Sequence, residues 1–277
     1  MDIETVFDTA RPVVGMVHLP PLPAAPGYDA EGGRAAIHEA ARRDAERLDA
    51  GGVDAVLVEN FGDAPFYPES VPRSVVADLT AAVETVRGVT DLPVGVNVLR
   101  NDGPSAVAVA AATGASFVRC NVHVGARVAD QGVLEGRAHE TMRTREQLDA
   151  DVAVLADVAV KHSAPLSGST TADADVGPAV TDAVERGLAD GIVVSGQATG
   201  EATDLDVARA AVRAREERGL DAPVFVGSGV TTDTVADALS VANGVVVGSA
   251  LEADGEAGNP VVVDRVKRLV AAAAAGR

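Results

Sequence analysis

Polar residues recur at alternate positions near the end of one apolar run, residues 116–124. Side chains alternate between the two faces of a β-strand. Two sets therefore separate, with Phe117, Arg119, Asn121 and His123 on one face and Val118, Cys120 and Val122 on the other. Polar side chains are costly to bury unless they pair or bind a ligand. We interpret the polar set as part of an inward-facing catalytic or binding site; an internal hydrogen-bond network is the alternative.

The ends of other apolar runs carry further groups that could do chemistry. These are Glu59 or Asn60, Asn97, Asp157 with Lys161, and Ser195. Glu59 is a candidate general base, although alternation does not decide whether Glu59 or Asn60 faces inward. Lys161 and Lys267 are the two lysines of the chain. At a strand end, Lys161 could bind an anion, act as an acid or base, or form a Schiff base with a carbonyl compound; a surface ammonium group is the alternative.

Two glycine turns follow the last two apolar runs. Gly227, Ser228 and Gly229 come after residues 224–226, and Gly248 with Ser249 comes after residues 245–247. Glycine lets the backbone approach an anion closely, and unpaired amide N–H groups bind phosphate. In a (β/α)8 barrel, the loops after strands 7 and 8 commonly hold a phosphate group. We predict a phosphate site here; ordinary tight turns are the alternative.

Apolar runs that resemble strands alternate with segments of helical periodicity. The runs are 12–19, 54–61, 93–99, 116–124, 152–160, 191–195, 224–226 and 245–247, and the helical segments are 33–50, 71–86, 104–112, 141–148, 175–188, 204–218, 231–239 and 260–274. Repeated βαβ units indicate a parallel sheet, and eight of them predict a single α/β (β/α)8 TIM barrel over residues 1–277. An open doubly wound sheet would show a glycine fingerprint after its first strand, which this chain lacks. Residues 125–139 are predicted to be irregular.

The charge of the chain limits its partners. The formal net charge is −18 and the isoelectric point is about 4.5, which argues against binding to nucleic acid or to an anionic membrane surface. We expect a protein of a high-salt cytoplasm, of haloarchaeal type, because salt screens the repulsion within such an acidic surface. An ordinary acidic protein is the alternative.

The compartment is predicted from two further features. The N-terminal segment lacks the pattern of a signal peptide, and no run of about 18 apolar residues could span a membrane. Cys120 is the one cysteine, so an intrachain disulfide is impossible and a reducing compartment fits. We expect a cytoplasmic protein with no membrane insertion, and a homo-oligomer is compatible with the sequence.

Three histidines end apolar runs, namely His18, His123 and His162. Their positions raise the question of a metal, but the chain has no His-x-His pair and no His-Glu-x-x-His motif. The sequence therefore requires no cofactor. A bound metal, or a flavin whose phosphate uses the glycine turns, stays open as an alternative.

The chain resembles the BtpA family, whose photosynthetic members are linked to photosystem I biogenesis and whose bacterial relatives are associated with sugar metabolism. The matching segments are 14–23 (VGMVHLPPLP), 58–66 (VENFGDAPF), 119–121 (RCN), 130–136 (DQGVLEG), 160–162 (VKH), 192–196 (IVVSG), 198–200 (ATG), 227–230 (GSGV) and 247–249 (VGS). The resemblance implies a barrel similar to the ribulose-phosphate-binding barrels. Two departures stand out, since Ala24-Ala25 replaces a usual Gly-Ser, and Glu252 stands where the family often has lysine.

These observations together predict an enzyme that acts on a phosphorylated small molecule, a sugar phosphate or nucleotide-like compound, by isomerase-type or lyase-type carbonyl or proton-transfer chemistry. The predicted catalytic residues are Lys161, Glu59, Arg119, Asn121 and Asp157. The predicted binding residues are Gly227, Ser228, Gly229, Gly248, Ser249, Ser195, Gly196, His18, Asn97 and His123. The resemblance implies an alternative, a non-enzymatic factor for the biogenesis or stability of a membrane complex of the photosystem I type.

Overall fold

Eleven strands are present in the described residues of the computed structural model, which are 2–159, 163–166, 176–195 and 204–277. The strands are β1 (Val13–His18), β2 (Ala55–Glu59), β3 (Val94–Asn97), β4 (Phe117–Cys120), β5 (Ala126–Ala129), β6 (Gly132–Glu135), β7 (Ala153–Ala159), β8 (Ser163–Pro165), β9 (Gly191–Val194), β10 (Val224–Val226) and β11 (Gly244–Val247). Eight of them close a parallel barrel in the order β1-β2-β3-β4-β7-β9-β10-β11. This is the TIM barrel that the sequence predicts.

Helices connect the barrel strands. They are α1 (Ile3–Phe7), α2 (Gly33–Gly51), α3 (Arg73–Arg87), α4 (Gly103–Thr113), α5 (Ala138–Gln147), α6 (Gly177–Thr181), α7 (Leu205–Glu217), α8 (Val235–Val241) and α9 (Val263–Ala273). A π-helical turn, Asp182–Arg186, continues α6, and 3-10 turns lie at Phe61–Asp63, Ser249–Leu251 and Ala253–Gly255. In the described residues, no helix is both long enough and apolar enough to cross a membrane.

The side chains on the two faces of each barrel strand pack against different parts of the molecule. Outward side chains such as Val56, Val96 and Val118 pack with the apolar faces of the surrounding helices. Inward side chains fill the barrel, and at its lower levels they are apolar, as Leu57, Leu155 and others show. Strand alternation therefore separates a helix-facing layer from a barrel interior.

A short N-terminal helix closes the lower end of the barrel, a feature that the sequence did not predict. Asp2 caps α1 by accepting a hydrogen bond from the Glu4 amide at 3.0 Å. Phe7, at the end of α1, is buried with its ring centroid 5.1 Å from that of Phe117 and 5.6 Å from that of Phe225. The ring fills the barrel axis from below.

The expectation that residues 125–139 are irregular is wrong. β5 and β6 form an antiparallel hairpin, and β8 pairs with the other edge of β5. The hairpin is anchored because Leu134 is fully buried against Val122 and because the Asn101 side chain donates to the Glu135 carbonyl at 2.8 Å. Its segment follows β4, so this small sheet lies at the C-terminal end of the barrel strands.

Candidate functional site

Four polar side chains stand at the same level at the C-terminal ends of adjacent strands. The sheet register aligns His18 with Glu59, Glu59 with Asn97, and Asn97 with Arg119. Residues that pair across a parallel sheet point to the same face, and these four point into the barrel. The register decides the question that alternation left open, because Glu59 is the inward residue.

Asn60 and Asp63 instead hold the loops that follow β1 and β2. The Asp63 carboxylate accepts from the Leu22 amide at 2.7 Å and from the Asn60 side chain at 3.1 Å. Asn60 in turn accepts from the Leu99 amide at 2.7 Å. Burial raises the pKa of Asp63, although its two hydrogen bonds oppose this effect. These contacts fix the proline-rich loop beside His18.

Arg119 and Asp157 form a buried bidentate ion pair inside the barrel. Arg119 Nε lies 2.8 Å from one carboxylate oxygen of Asp157, and Nη2 lies 2.9 Å from the other. Nη2 also donates to Ser195 Oγ, which donates to the Gly227 carbonyl. Burial alone would lower the pKa of Arg119, but the charge and hydrogen bonds of Asp157, with a contribution from Glu59, outweigh it and raise the pKa. Arg119 is therefore a permanent cation.

Two predicted catalytic side chains are occupied within this network. The same Asp157 oxygen that pairs with Nη2 also accepts from the Asn121 side chain at 3.2 Å. Asn97 donates to the Arg119 carbonyl at 2.7 Å and approaches Asn121 Oδ1 at 3.4 Å. These contacts orient Arg119, and the expectation that Asp157 and Asn121 act in catalysis stays a prediction.

His18 lies between two buried carboxylates. Its Nδ1 is 2.7 Å from Glu252 Oε1, and its Nε2 is 3.8 Å from Glu59 Oε1. The ring also packs on Phe61, with 4.5 Å between ring centroids. Sequence reasoning singled out Glu252 only as a departure from the family and missed this contact. The one signal in the sequence was its position, three residues after Ser249.

The two glycine turns meet at one cavity with these side chains. The cavity is lined by Met16, His18, Glu59, Arg119, Ser228, Gly229, Val230, Val246, Gly248 and Ser249. Met16 and Val246 belong to the apolar barrel interior, so they form its floor. The polar residues form its walls. The side chains of His18, Glu59 and Arg119 therefore face the same space as the turns after β10 and β11.

The backbone of the two turns explains why glycine stands there. Gly229 has a φ of 76°, which L-residues rarely adopt. A Cβ at Gly248 would lie 2.8 Å from His18 Cε1. The amides of Gly229, Gly248 and Ser249 make no hydrogen bond within the described residues. The prediction that the Gly227 amide binds phosphate is corrected, because this amide already donates to the Val194 carbonyl at 3.0 Å.

His123 does not face the cavity, so the expectation drawn from its alternation with Asn121 is wrong. Its Nε2 contacts the carbonyl of Gly187 at 2.8 Å, beyond the π-helical turn. The strand β4 ends at Cys120, and alternation no longer applies three residues later. Burial lowers the pKa of His123, which favours the neutral ring.

Some predicted groups lie outside the described residues. These are Lys161, His162 and Gly196. Two larger depressions lie elsewhere on the molecule, one between α6 and α7 and one beside α1 and the start of β7. Neither contains the strand-end groups, so we place the candidate site at the barrel mouth. In the described part of the chain, no cluster of three or more His, Cys, Asp or Glu side chains is arranged to hold a metal ion.

Comparison with known proteins gives the family. The model of the BtpA family matches residues 9–275. The chain belongs to the BtpA family. It is 44% identical over 276 residues to the photosystem I biogenesis protein BtpA of Synechocystis, covering 100% of this chain and 92% of the relative. It is 42% identical to an uncharacterized protein of Thermococcus kodakarensis over 94% of each chain.

Solved structures similar to this BtpA-family chain share its fold. A tryptophan synthase structure from Mycobacterium tuberculosis superposes with a TM-score of 0.60 at 19% identity, covering 99% of this chain and 97% of that chain. An N-(5'-phosphoribosyl)anthranilate isomerase from Pyrococcus furiosus has a TM-score of 0.57 at 14% identity, covering 95% and 98%. At these identities the likeness establishes the TIM barrel fold.

Proposed function

We propose that this protein is an enzyme that binds a phosphorylated small molecule at the barrel mouth and catalyses proton-transfer or carbonyl chemistry of the isomerase or lyase type. One observation carries the proposal. The turns after β10 and β11 share a single cavity with His18, Glu59 and Arg119. A phosphate anchor beside an acid, a base and a fixed cation is what such a reaction requires.

The phosphate group is assigned to the two turns. Backbone N–H groups of Gly229, Gly248 and Ser249 have no acceptor among the described residues, and amides of this kind bind phosphate well. The 3-10 turn Ser249–Leu251 follows β11 directly. This matches the usual position of phosphate in a (β/α)8 barrel, after strands 7 and 8 and at the start of a short extra helix.

The reacting part of the ligand is assigned to the side chains opposite the turns. The Glu59 carboxylate accepts no hydrogen bond from the described residues and lines the cavity, so it is available as a general base. Arg119 Nη1 also has no partner in the described structure, whereas Asp157 fixes the other two nitrogens. A preorganised cation of this kind stabilises negative charge that develops on a substrate oxygen.

Structural neighbours support a phosphorylated ligand. Their names include thiamine phosphate pyrophosphorylase and N-(5'-phosphoribosyl)anthranilate isomerase, with TM-scores of 0.54 and 0.57. We extend this ligand class to the present chain because its glycine turns follow the last two barrel strands, where (β/α)8 barrels commonly hold a phosphate group. Lys161 keeps its predicted role as an anion-binding or acid–base group. The proposal requires no cofactor.

The phosphate assignment is tested by thermal shift with ribose 5-phosphate, glycerol 3-phosphate and inorganic phosphate. We expect each to raise the Tm of the wild type. Ser249→Glu should abolish the shift, because it places a carboxylate at the proposed phosphate position. Ser240→Glu is the matched control, since Ser240 is exposed on α8, and it should keep the shift. Absence of a shift with every phosphate compound would refute the proposal and favour a non-enzymatic factor.

The assignment of Glu59 is tested by hydrogen exchange at substrate carbon. Sugar phosphates are incubated with the protein in D2O, and deuterium uptake at carbon is followed by NMR. We expect Glu59→Gln to slow the exchange about a hundredfold or more, the usual effect of removing a general base. Glu256→Gln, an exposed change of the same kind, should leave the rate unchanged. Equal rates in the wild type and Glu59→Gln would exclude Glu59 as the base.

A further inference from the structure

The side chain of Glu252 has both carboxylate oxygens engaged. Oε1 accepts from His18 Nδ1 at 2.7 Å, and Oε2 accepts from the Gly258 amide at 3.1 Å. Glu252 is 1% exposed, so water does not compete for these bonds. Because a carboxylate only accepts hydrogen bonds, the proton of a neutral His18 ring must lie on Nδ1.

The other ring nitrogen of His18 is left facing the cavity. Phe61 packs on the His18 ring. Gly248 has no Cβ, which leaves room for the Cε1 edge of the His18 ring. Nε2 points toward Glu59, but the separation of 3.8 Å exceeds a hydrogen bond. Nε2 of this neutral ring and the Glu59 carboxylate both accept hydrogen bonds, so a single hydroxyl group cannot bond to both. Two hydroxyl groups on adjacent carbons fit, because each can donate to one of the two acceptors.

We propose that the space beside His18 Nε2 and Glu59 is a subsite for two hydroxyl groups on adjacent carbons of the substrate, one donating to each group, and that Glu252 is the residue that positions His18 for it. This inference rests on the proposed function and narrows its substrate class. The ligand is a polyhydroxy phosphate, with the phosphate on the glycine turns and two neighbouring hydroxyl groups that donate to His18 and Glu59.

The arrangement permits a balanced proton transfer at the hydroxyl group that faces His18. The lone pair of Nε2 takes the hydroxyl proton, the O–H bond breaks, and its electron pair stays on the oxygen. His18 becomes a cation whose Nδ1 proton remains bonded to Glu252, and Arg119 faces the same cavity as the new negative charge. Return of the proton from Nε2 restores both groups. Glu252 itself is not protonated, as in other carboxylate–histidine pairs.

The tautomer of His18 is measurable without any ligand. Two-bond ¹H–¹⁵N NMR spectra distinguish the ring nitrogens, and the chain has 5 histidines, so the spectra are assignable by substitution. We expect the neutral ring of wild-type His18 to carry its proton on Nδ1. A wild-type ring that keeps its proton on Nε2 would overturn the inference.

The variant Glu252→Gln should reverse the tautomer. The amide oxygen of the new side chain replaces Oε2 as the acceptor for the Gly258 amide, so its NH2 group faces Nδ1. Nδ1 then has to accept, and the proton moves to Nε2. Glu256→Gln removes the same charge from an exposed position and should leave the tautomer unchanged. An unchanged tautomer in folded Glu252→Gln would contradict the positioning role.

Calorimetry with two probes separates this inference from the proposed function. We expect Glu59→Gln to weaken the binding of ribose 5-phosphate about tenfold, as the loss of a hydrogen bond to a charged group predicts. Inorganic phosphate should bind this variant within about twofold of the wild type, because it does not reach the hydroxyl subsite. Equal weakening of both probes would refute the subsite. Failure of both probes to bind the wild type would refute the phosphate site instead, while the tautomer result would stand. Binding of inorganic phosphate without binding of ribose 5-phosphate would refute the hydroxyl subsite alone.

Discussion

Consecutive residues of β4 show how one step along a strand changes the chemistry of a side chain. Arg119 points into the barrel and is held as a cation by Asp157. Cys120 points outward and is buried among the helix-facing side chains. Burial, with the nearby charges of Asp157 and Asp102, raises the pKa of Cys120 to about 12. The outward residue is therefore inert, whereas the inward one faces the cavity.

We expect Cys120 to resist thiol reagents in the native protein. With its pKa at about 12, the thiolate fraction grows only as the pH approaches that value and is roughly one in ten thousand at pH 8. Ellman's reagent should react with the unfolded chain but not with the native one. Ser240→Cys adds an exposed thiol on α8 and should give one rapid equivalent. Rapid labelling of native wild type would contradict the burial of Cys120.

The Arg119–Asp157 pair gives a second prediction. Arg119→Met leaves a carboxylate buried without its partner, and we expect a loss of about 3–5 kcal/mol in the free energy of unfolding. The double variant Arg119→Met/Asp157→Leu removes both charges and should recover part of that loss. Urea denaturation measures both values. If the double variant is less stable than Arg119→Met by the amount that Asp157→Leu costs alone, the two residues are not coupled.

Among the elements, α1 and the hairpin β5–β6 act at opposite ends of the barrel. α1 brings Phe7 against Phe117 and Phe225 at the lower end. The hairpin is fixed at the upper end by Leu134. Its other face carries Val128 opposite Val133, and both side chains are partly exposed. One element thus completes the core, and the other borders the mouth.

Phe7 should contribute strongly to stability although it lies in a helix of 5 residues. Phe7→Ala removes a buried ring from the barrel axis, and we expect a loss of about 3–5 kcal/mol. Phe7→Leu should cost less because it leaves a smaller cavity. Glu4→Ala, on the exposed side of the same helix, should change the free energy of unfolding by less than about 1 kcal/mol. Both variants are measured by chemical denaturation. An equal loss in the free energy of unfolding for Phe7→Ala and Glu4→Ala would exclude a stabilising role for Phe7.

At the scale of the whole molecule, the acidic surface remains to be tested. The chain carries a formal net charge of −18, and its exposed ion pairs, such as Arg42 with Glu39 and Glu46, are of a kind that contributes little. Self-repulsion of this surface destabilises the folded state at low ionic strength. We therefore expect the salt concentration to affect the stability of the folded state more than the surface ion pairs do.

We predict that KCl stabilises the protein. Between 0.1 and 2 M KCl, the Tm should rise by at least about 4 °C, equivalent to roughly 1–2 kcal/mol for a chain of this size. A variant with Glu185, Glu217 and Glu256 changed to Gln should rise less, because these exposed carboxylates add to the repulsion. The highest Tm in dilute buffer would contradict the high-salt prediction.

The fold was predictable because its determinants are local. Apolar runs followed by helical periods indicate the barrel without any knowledge of long-range contacts, and barrel topology then places the turns after β10 and β11 side by side. Alternation along β4 was enough to point Arg119 inward. It failed at His123, which lies beyond the end of the strand, and it did not anticipate α1, whose burial depends on the barrel already being closed.

The sequence alone indicated that several strand-end residues and the turns after β10 and β11 stand at the barrel mouth, since strand ends and glycine turns are local features, although it placed His123 there wrongly. Only the tertiary structure decided which of them are available to a ligand. Asp157 and the Gly227 amide are engaged by Arg119 and Val194, whereas Glu59 is not engaged. The contact between His18 and Glu252 joins residues 234 positions apart. It exists because β1 pairs with β11 to close the barrel, and no local pattern in a sequence encodes which two ends meet.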